Sequence, residues 1–173
     1  MGSAPRQRFN VDKEIFKRIV ENDKDAFKEL YEKTHTVLYA FLLSYTQNAE
    51  DAKDLLQETY INIYKNCYRY KEKGNPMAWM MEIAKNLFLM KHRKEKNIQE
   101  VNFEHINSVC GLEQISNVDN RILIESLFKV LSDVERKIIV LHDVAGLKNR
   151  EIANILDLPI GTVLAKYSRA IKK

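Results

Sequence analysis

Residues 149–173 read NREIANILDLPIGTVLAKYSRAIKK, and this stretch decides how the rest of the chain is understood. Ile152, Ala153 and Leu156 recur at helical spacing, and small Ala153 permits close approach of a second helix. Asp157 tolerates the left-handed backbone that a tight turn requires. Pro159 suits the first turn of a helix, where its missing N–H has no partner to lose. A second helix follows, with Val163, Tyr167 and Ile171 expected inward and Thr162, Lys166, Arg169 and Lys173 on the opposite face. No acid occurs after Asp157. An inward pattern, a tight turn and an acid-free basic face together read as a helix-turn-helix. Arg pairs bidentately with guanine, Lys meets guanine or phosphate, and Thr bonds to either, so this face suits a DNA major groove.

Working back from that motif, residues 121–173 form one helical unit. Ile124, Leu127, Phe128 and Leu131 repeat at helical spacing, Ser132-Asp133-Val134-Glu135 has the form of a capping box, and Gly146 ends the helix that follows. Asn149 is placed to cap the next helix. Upstream, residues 98–120 lack periodicity and carry Glu100, Glu104, Glu113 and Asp119 without any Lys or Arg. They read as a flexible linker, because so long a stretch without pattern is unusual inside a compact domain. Residues 10–97 are helical again. Val37 to Tyr45 is apolar on most sides, as a central buried helix would be. Asn48 is an expected N-cap, followed by an inward stripe of Ala52, Leu55, Leu56, Thr59 and Ile63. The KEKGNP stretch breaks that helix, and Trp79, Ile83, Leu87 and Met90 mark the next. The fold class is therefore all-α, with two small helical domains.

Two surfaces of the first unit carry chemistry. Asp51, Asp54 and Glu58 lie at i, i+3 and i+7, with Gln57 beside them. Phosphates would be repelled by this stripe, which fits a basic protein partner better. The adjoining segment offers Tyr64, Tyr68, Arg69, Tyr70, Lys71, Lys73 and Trp79. Aromatic rings stack on exposed bases while cations follow the backbone, the combination that suits single-stranded nucleic acid.

Composition excludes several alternatives. A hydrophobic content of 45% is too high for a wholly disordered chain, and no apolar run approaches the length of a membrane span or signal sequence. Cys67 and Cys110 stand alone and the four His are scattered, so neither a disulfide framework nor a metal site is expected. No nucleophile–base constellation or phosphate-cradling Gly loop points to catalysis, and no cofactor is implied. A helix-turn-helix regulator with a sensing or dimerising N-terminal unit would explain residues 121–173. It would leave the acidic stripe beside an aromatic basic loop without a use.

DAKDLLQETYINIYKN (51–66), NPMAWMMEIAKNL (75–87) and residues 131–173, in that order, resemble the extracytoplasmic-function (ECF) sigma factors of bacterial RNA polymerase. The resemblance implies sigma domain two over 10–97, a linker over 98–120 and sigma domain four over 121–173. It implies a non-enzymatic cytoplasmic protein that brings core polymerase to promoters. Asp51, Asp54, Gln57 and Glu58 would dock on the β′ clamp helices. Tyr68, Arg69, Tyr70, Lys71, Lys73, Asn75, Trp79, Lys85, Asn86 and Arg93 would serve the melted −10 element. Thr162, Lys166, Arg169 and Lys173 would read the −35 duplex while the other face of that domain meets the β flap. The resemblance also implies an anti-sigma factor, often membrane-anchored, with no insertion of this chain into the bilayer. Leu164-Ala165 stand where many members carry a basic residue followed by Ser, so the −35 contacts are expected to differ.

Overall fold

A computed structural model describes residues 11–71, 74–98 and 130–173. Among these residues every regular element is helical: α1 (Glu14–Val20), α2 (Lys24–Thr46), α3 (Ala49–Asn66), α4 (Pro76–Ile98), α5 (Asp133–Ile139), α6 (Asn149–Leu156) and α7 (Ile160–Ala170). A single 3-10 turn, Cys67–Arg69, extends α3, and a π-helical segment, Val140–Val144, extends α5. Ile98, expected to open the linker, is the last residue of α4; residues 99–120, Lys73 and the apolar stripe of Ile124, Leu127 and Phe128 lie outside the described residues.

The helices begin and end where local chemistry satisfies their free backbone groups. The Asp23 carboxylate accepts from the N–H groups of Asp25 and Ala26 at 2.9 and 3.2 Å, and Asn48 Oδ1 accepts from Glu50 and Asp51 at 2.9 and 3.2 Å. Asn22 and Gln47 turn the chain with positive φ of 64° and 52°. Arg18 ties α1 to α2 by pairing with Asp23 and Glu29 at 2.9 and 3.0 Å. The Ala26 N–H and Arg18 are the leading partners that hold the Asp23 carboxyl below the ordinary carboxylate range.

The middle of α2 is buried on every side from Val37 to Ser44, which places it at the centre of the fold. It packs on α1, α3 and α4, with Leu30, Leu38, Phe41, Leu42, Leu55, Ile63, Met77, Met80 and Met81 enclosed. Tyr60 is buried with its hydroxyl 2.6 Å from that of Thr34, and burial raises its pKa.

The C-terminal helices do not stand apart from this bundle. α5 and the π-helical segment pack on α2, and α6 packs on α4, so one continuous core joins the two units. Tyr45 sits at the junction, 5.0 Å from the Phe88 ring, with Lys137 Nζ 3.8 Å from its own ring centroid. Burial lowers the Lys137 pKa and raises that of Tyr45. Two polar contacts flank the aromatic pair: Gln47 Nε2 donates to Asp133 at 3.3 Å, and Lys85 Nζ donates to Asp157 at 2.6 Å. Nothing in the helical periodicity anticipates this contact between units.

Candidate nucleic-acid interface and docking face

In the helix-turn-helix, α6 is opened by an unforeseen cap. Asn149 is its first residue, not its cap; Glu151 instead accepts from the Lys148 N–H at 2.7 Å, the reciprocal half of a capping box. Asn149 Oδ1 is left buried without a hydrogen-bond partner. The turn closes as expected, with Asp157 left-handed at φ 52° and Leu158 N–H donating to Ala153 at 3.0 Å. Pro159 is the N-cap of α7, one position earlier than its expected place in the first turn.

The inward stripe of α7 is Val163, Tyr167 and Ala170 rather than Val163, Tyr167 and Ile171. Ile171 is 59% exposed: as the C-cap it keeps helical backbone, its N–H donating to the Tyr167 carbonyl at 3.1 Å, but it lies at the edge of the inward stripe rather than within it. Tyr167 fixes the rotation of the helix. Its ring lies 4.1 Å from the buried His142 and its hydroxyl donates to Asp143 at 3.1 Å. Asp143 also contacts His142 Nδ1 at 2.7 Å.

With the inward direction set by Val163 and Ala170, Arg169 is exposed and Thr162 and Lys166 are half-buried along one flank. The centre of the outer face is Gly161, Ala165 and Ser168, with Leu164 beside them, all exposed. Leu164 and Ala165 are the pair whose departure from the family pattern is visible in the sequence; Gly161 and Ser168 join them through the helix phase set by Ala170. Lys173 is not on this face. Its ammonium pairs with Glu135 at 2.8 Å, and that carboxylate also accepts from the Ser132 N–H and hydroxyl, each at 2.9 Å. Lys173 therefore fastens the chain end to the start of α5. Its ammonium is the leading cause that pushes the Glu135 carboxyl down to about 2, ahead of the Ser132 donors.

On α3 the acidic stripe is a free surface over most of its length. Asp54, Gln57 and Glu58 are exposed, and neither carboxylate enters an ion pair among the described residues. Asp51, at the upstream end, leans toward α4 and lies 3.6 Å from Lys91. Ile61 and Tyr64 are exposed and continue the stripe at i+3 from Glu58 and i+7 from Gln57.

The aromatic basic loop divides its tyrosines. Tyr68 is exposed, with Arg69 Nε donating to its hydroxyl at 2.8 Å and the guanidinium 5.3 Å from its ring centroid. Tyr70 instead packs 4.5 Å from Phe16 and 5.3 Å from Trp79, and its hydroxyl donates to the Gly74 carbonyl at 3.1 Å. Trp79 also meets Phe16, at 5.4 Å, so these two rings anchor the loop. Asn75 caps α4 by accepting from the Met77 N–H at 3.0 Å. Lys71, Asn86 and Arg93 are exposed, whereas the Lys85 side chain is only 11% exposed beneath Asp157.

A helix-turn-helix whose second helix carries no acid, joined to a helical unit with a separate acidic face and aromatic basic loop, defines a class of helical DNA-binding protein that also docks on another protein. Residues 30–98 match the model of Sigma-70 region 2, and residues 121–173 match that of Sigma-70, region 4. The chain is 27% identical over 173 residues to the ECF RNA polymerase sigma-E factors of Salmonella typhimurium (strain LT2) and Escherichia coli (strain K12), covering 92% of this chain and 90% of each relative. It is 23% identical to the ECF RNA polymerase sigma factor SigK of Mycobacterium bovis, over 99% of this chain and 95% of that one. Among solved structures, RpoE of Bartonella quintana bound to the anti-sigma factor NepR aligns with a TM-score of 0.64 at 26% identity, over 84% of this chain and 92% of the other. CnrH bound to the cytosolic domain of CnrY shares the fold, with a TM-score of 0.62 at 18% identity over 94% of both chains. The chain belongs to the sigma-70 family, as a factor of the ECF type. It is a promoter-directing sigma factor whose sigma domains bind core RNA polymerase and promoter DNA. No helix among the described residues is long and apolar enough to cross a membrane.

Proposed function

We propose that residues 10–97 act as sigma domain two, residues 98–120 as the linker, and residues 121–173 as sigma domain four of a non-enzymatic cytoplasmic factor. The exposed, unpaired carboxylates of Asp54 and Glu58, with Gln57, dock on the basic β′ clamp helices; this free acidic stripe is the observation that carries the reading. Asp51 contributes from the edge of that stripe, with Lys91 held beside it.

Tyr68 is the base-stacking ring of the −10 site, because it is exposed and ordered by Arg69, while Tyr70, Asn75 and Trp79 shape the loop behind it. Arg69, Lys71, Asn86 and Arg93 follow the separated strand, joined by Lys85 once Asp157 releases it. Domain four reads the −35 duplex through Thr162, Lys166 and Arg169, and its opposite side meets the β flap. An anti-sigma factor regulates the protein, a reading supported by the likeness to an RpoE bound to the anti-sigma factor NepR; where such a factor is membrane-anchored it would hold the protein there.

Charge reversal of both Asp54 and Glu58 to Lys tests the docking assignment. The variant is expected to lose co-elution with core polymerase while keeping its helical signal and its binding to duplex DNA. Retention of polymerase binding would refute the assignment.

A further inference from the structure

The outer face of α7 is unusual for a helix that enters a major groove. Its cations, Lys166 and Arg169, lie along one flank, and Lys172 lies beyond the helix end. The middle of the face is Gly161, Ala165 and Ser168, with Leu164 beside them on the side away from the cations, and it holds no guanidinium or amide that could form two hydrogen bonds to one base. Leu164 is 47% exposed and Ile160, at the start of the same helix, 44% exposed. Neither has a covering element among the described residues, although Val163 and Tyr167 on the other side are packed.

Charge and apolarity together identify what covers this face. The absence of acids after Asp157 favours phosphates on the flanks, so the occupant is a duplex. Within the major groove the only apolar group on a base edge is the C5 methyl of thymine. An alanine at the centre of the face and a leucine beside it gain from burying such methyls and gain nothing from the polar edges of guanine or adenine. Resting on the assignment of domain four to the −35 duplex, we propose that Leu164 and Ala165 select thymines in that element by packing on their C5 methyls. Preference at those thymines then comes from apolar contact, beside the contacts that Thr162, Lys166 and Arg169 make with the duplex.

The test uses the full chain with core RNA polymerase. Promoters are first selected from a random library, and the −35 segment is identified by scrambling it. Each thymine of that segment is then replaced by deoxyuridine, which removes the methyl and leaves the hydrogen-bonding edge intact. Affinity for the duplex is expected to fall about fourfold for each methyl that meets the helix. Leu164→Ala is expected to weaken binding to the thymine duplex and to lose sensitivity to uracil at the thymine that Leu164 covers, while a thymine covered by Ala165 keeps its sensitivity. Leu164→Arg should move the selected preference from thymine toward guanine. Equal affinity for thymine and uracil duplexes would overturn the proposal, as would a Leu164→Ala loss that is the same for both. If scrambling the −35 segment has no effect, the domain-four assignment itself fails, a result separable from indifference to the methyl.

Discussion

Glu135 shows how much one side chain can hold. Its carboxylate receives the Lys173 ammonium, the Ser132 N–H and the Ser132 hydroxyl, and its pKa is pushed down to about 2 from the ordinary 4.5. A carboxyl depressed on folding stabilises the fold fully above its unfolded pKa and loses that contribution as pH falls toward the folded value. Thermal unfolding followed by circular dichroism should therefore show a loss of stability between about pH 4.5 and about pH 2, and Glu135→Gln should flatten that part of the profile. A wild-type profile that matches Glu135→Gln would contradict the role given to this carboxylate. The Ser132–Glu135 box was readable from sequence, since both partners lie within four consecutive residues. Lys173 was not: its 38-residue separation from Glu135 has no local signature, and a terminal Lys on a basic helix reads as one more DNA contact.

Among the elements, α7 carries the main correction to the sequence reading. Ile171 continued an i, i+4, i+8 series with Val163 and Tyr167, and an apolar residue in register is ordinarily inward. Ala170 takes the buried place instead, and Ile171, still helical in backbone, lies at the edge of that stripe and is exposed. Urea unfolding separates these assignments. Ile171→Ala should change stability by less than about 0.5 kcal/mol, as an exposed substitution does. Ile138→Ala, at a site with no exposure, should cost about 2–5 kcal/mol. Comparable costs at the two sites would mean that the phase of α7 is wrong. The cap on α3 was legible because Asn48 stands two and three residues before Glu50 and Asp51, ahead of an inward stripe; Asn48→Ala should cost about 1 kcal/mol in the same assay. The cap on α6 was misplaced, because a Lys at the N-cap carries no capping signal and Glu151 supplies the bond from within the helix.

For the whole molecule, the contact between the two units bears on promoter opening. Lys85, read from sequence as a −10 contact, lies beneath Asp157 of the helix-turn-helix turn at 2.6 Å. A cation so enclosed cannot reach a DNA strand until the units part. Their junction also encloses the Tyr45–Lys137 pair, so parting exposes an aromatic ring and rehydrates an ammonium. With the two native cysteines replaced by Ser, fluorescent labels at exposed Glu21 and Asn154 should move apart when core polymerase and promoter DNA are added. An unchanged distance in the open complex would exclude Lys85 from the −10 site. The two helical units, their order and their chemical faces were legible in the sequence because helical periodicity and charge are local properties. Their packing was not, because Lys85–Asp157 and Gln47–Asp133 join residues 72 and 86 positions apart through single polar contacts. One chain thus brings polymerase to a promoter through an acidic docking face and separate DNA-reading surfaces. The most direct measurement mixes it with core RNA polymerase and a random promoter library and sequences the transcripts. A co-eluting complex with new transcripts from a shared promoter sequence is predicted; neither complex nor new transcripts would contradict the account.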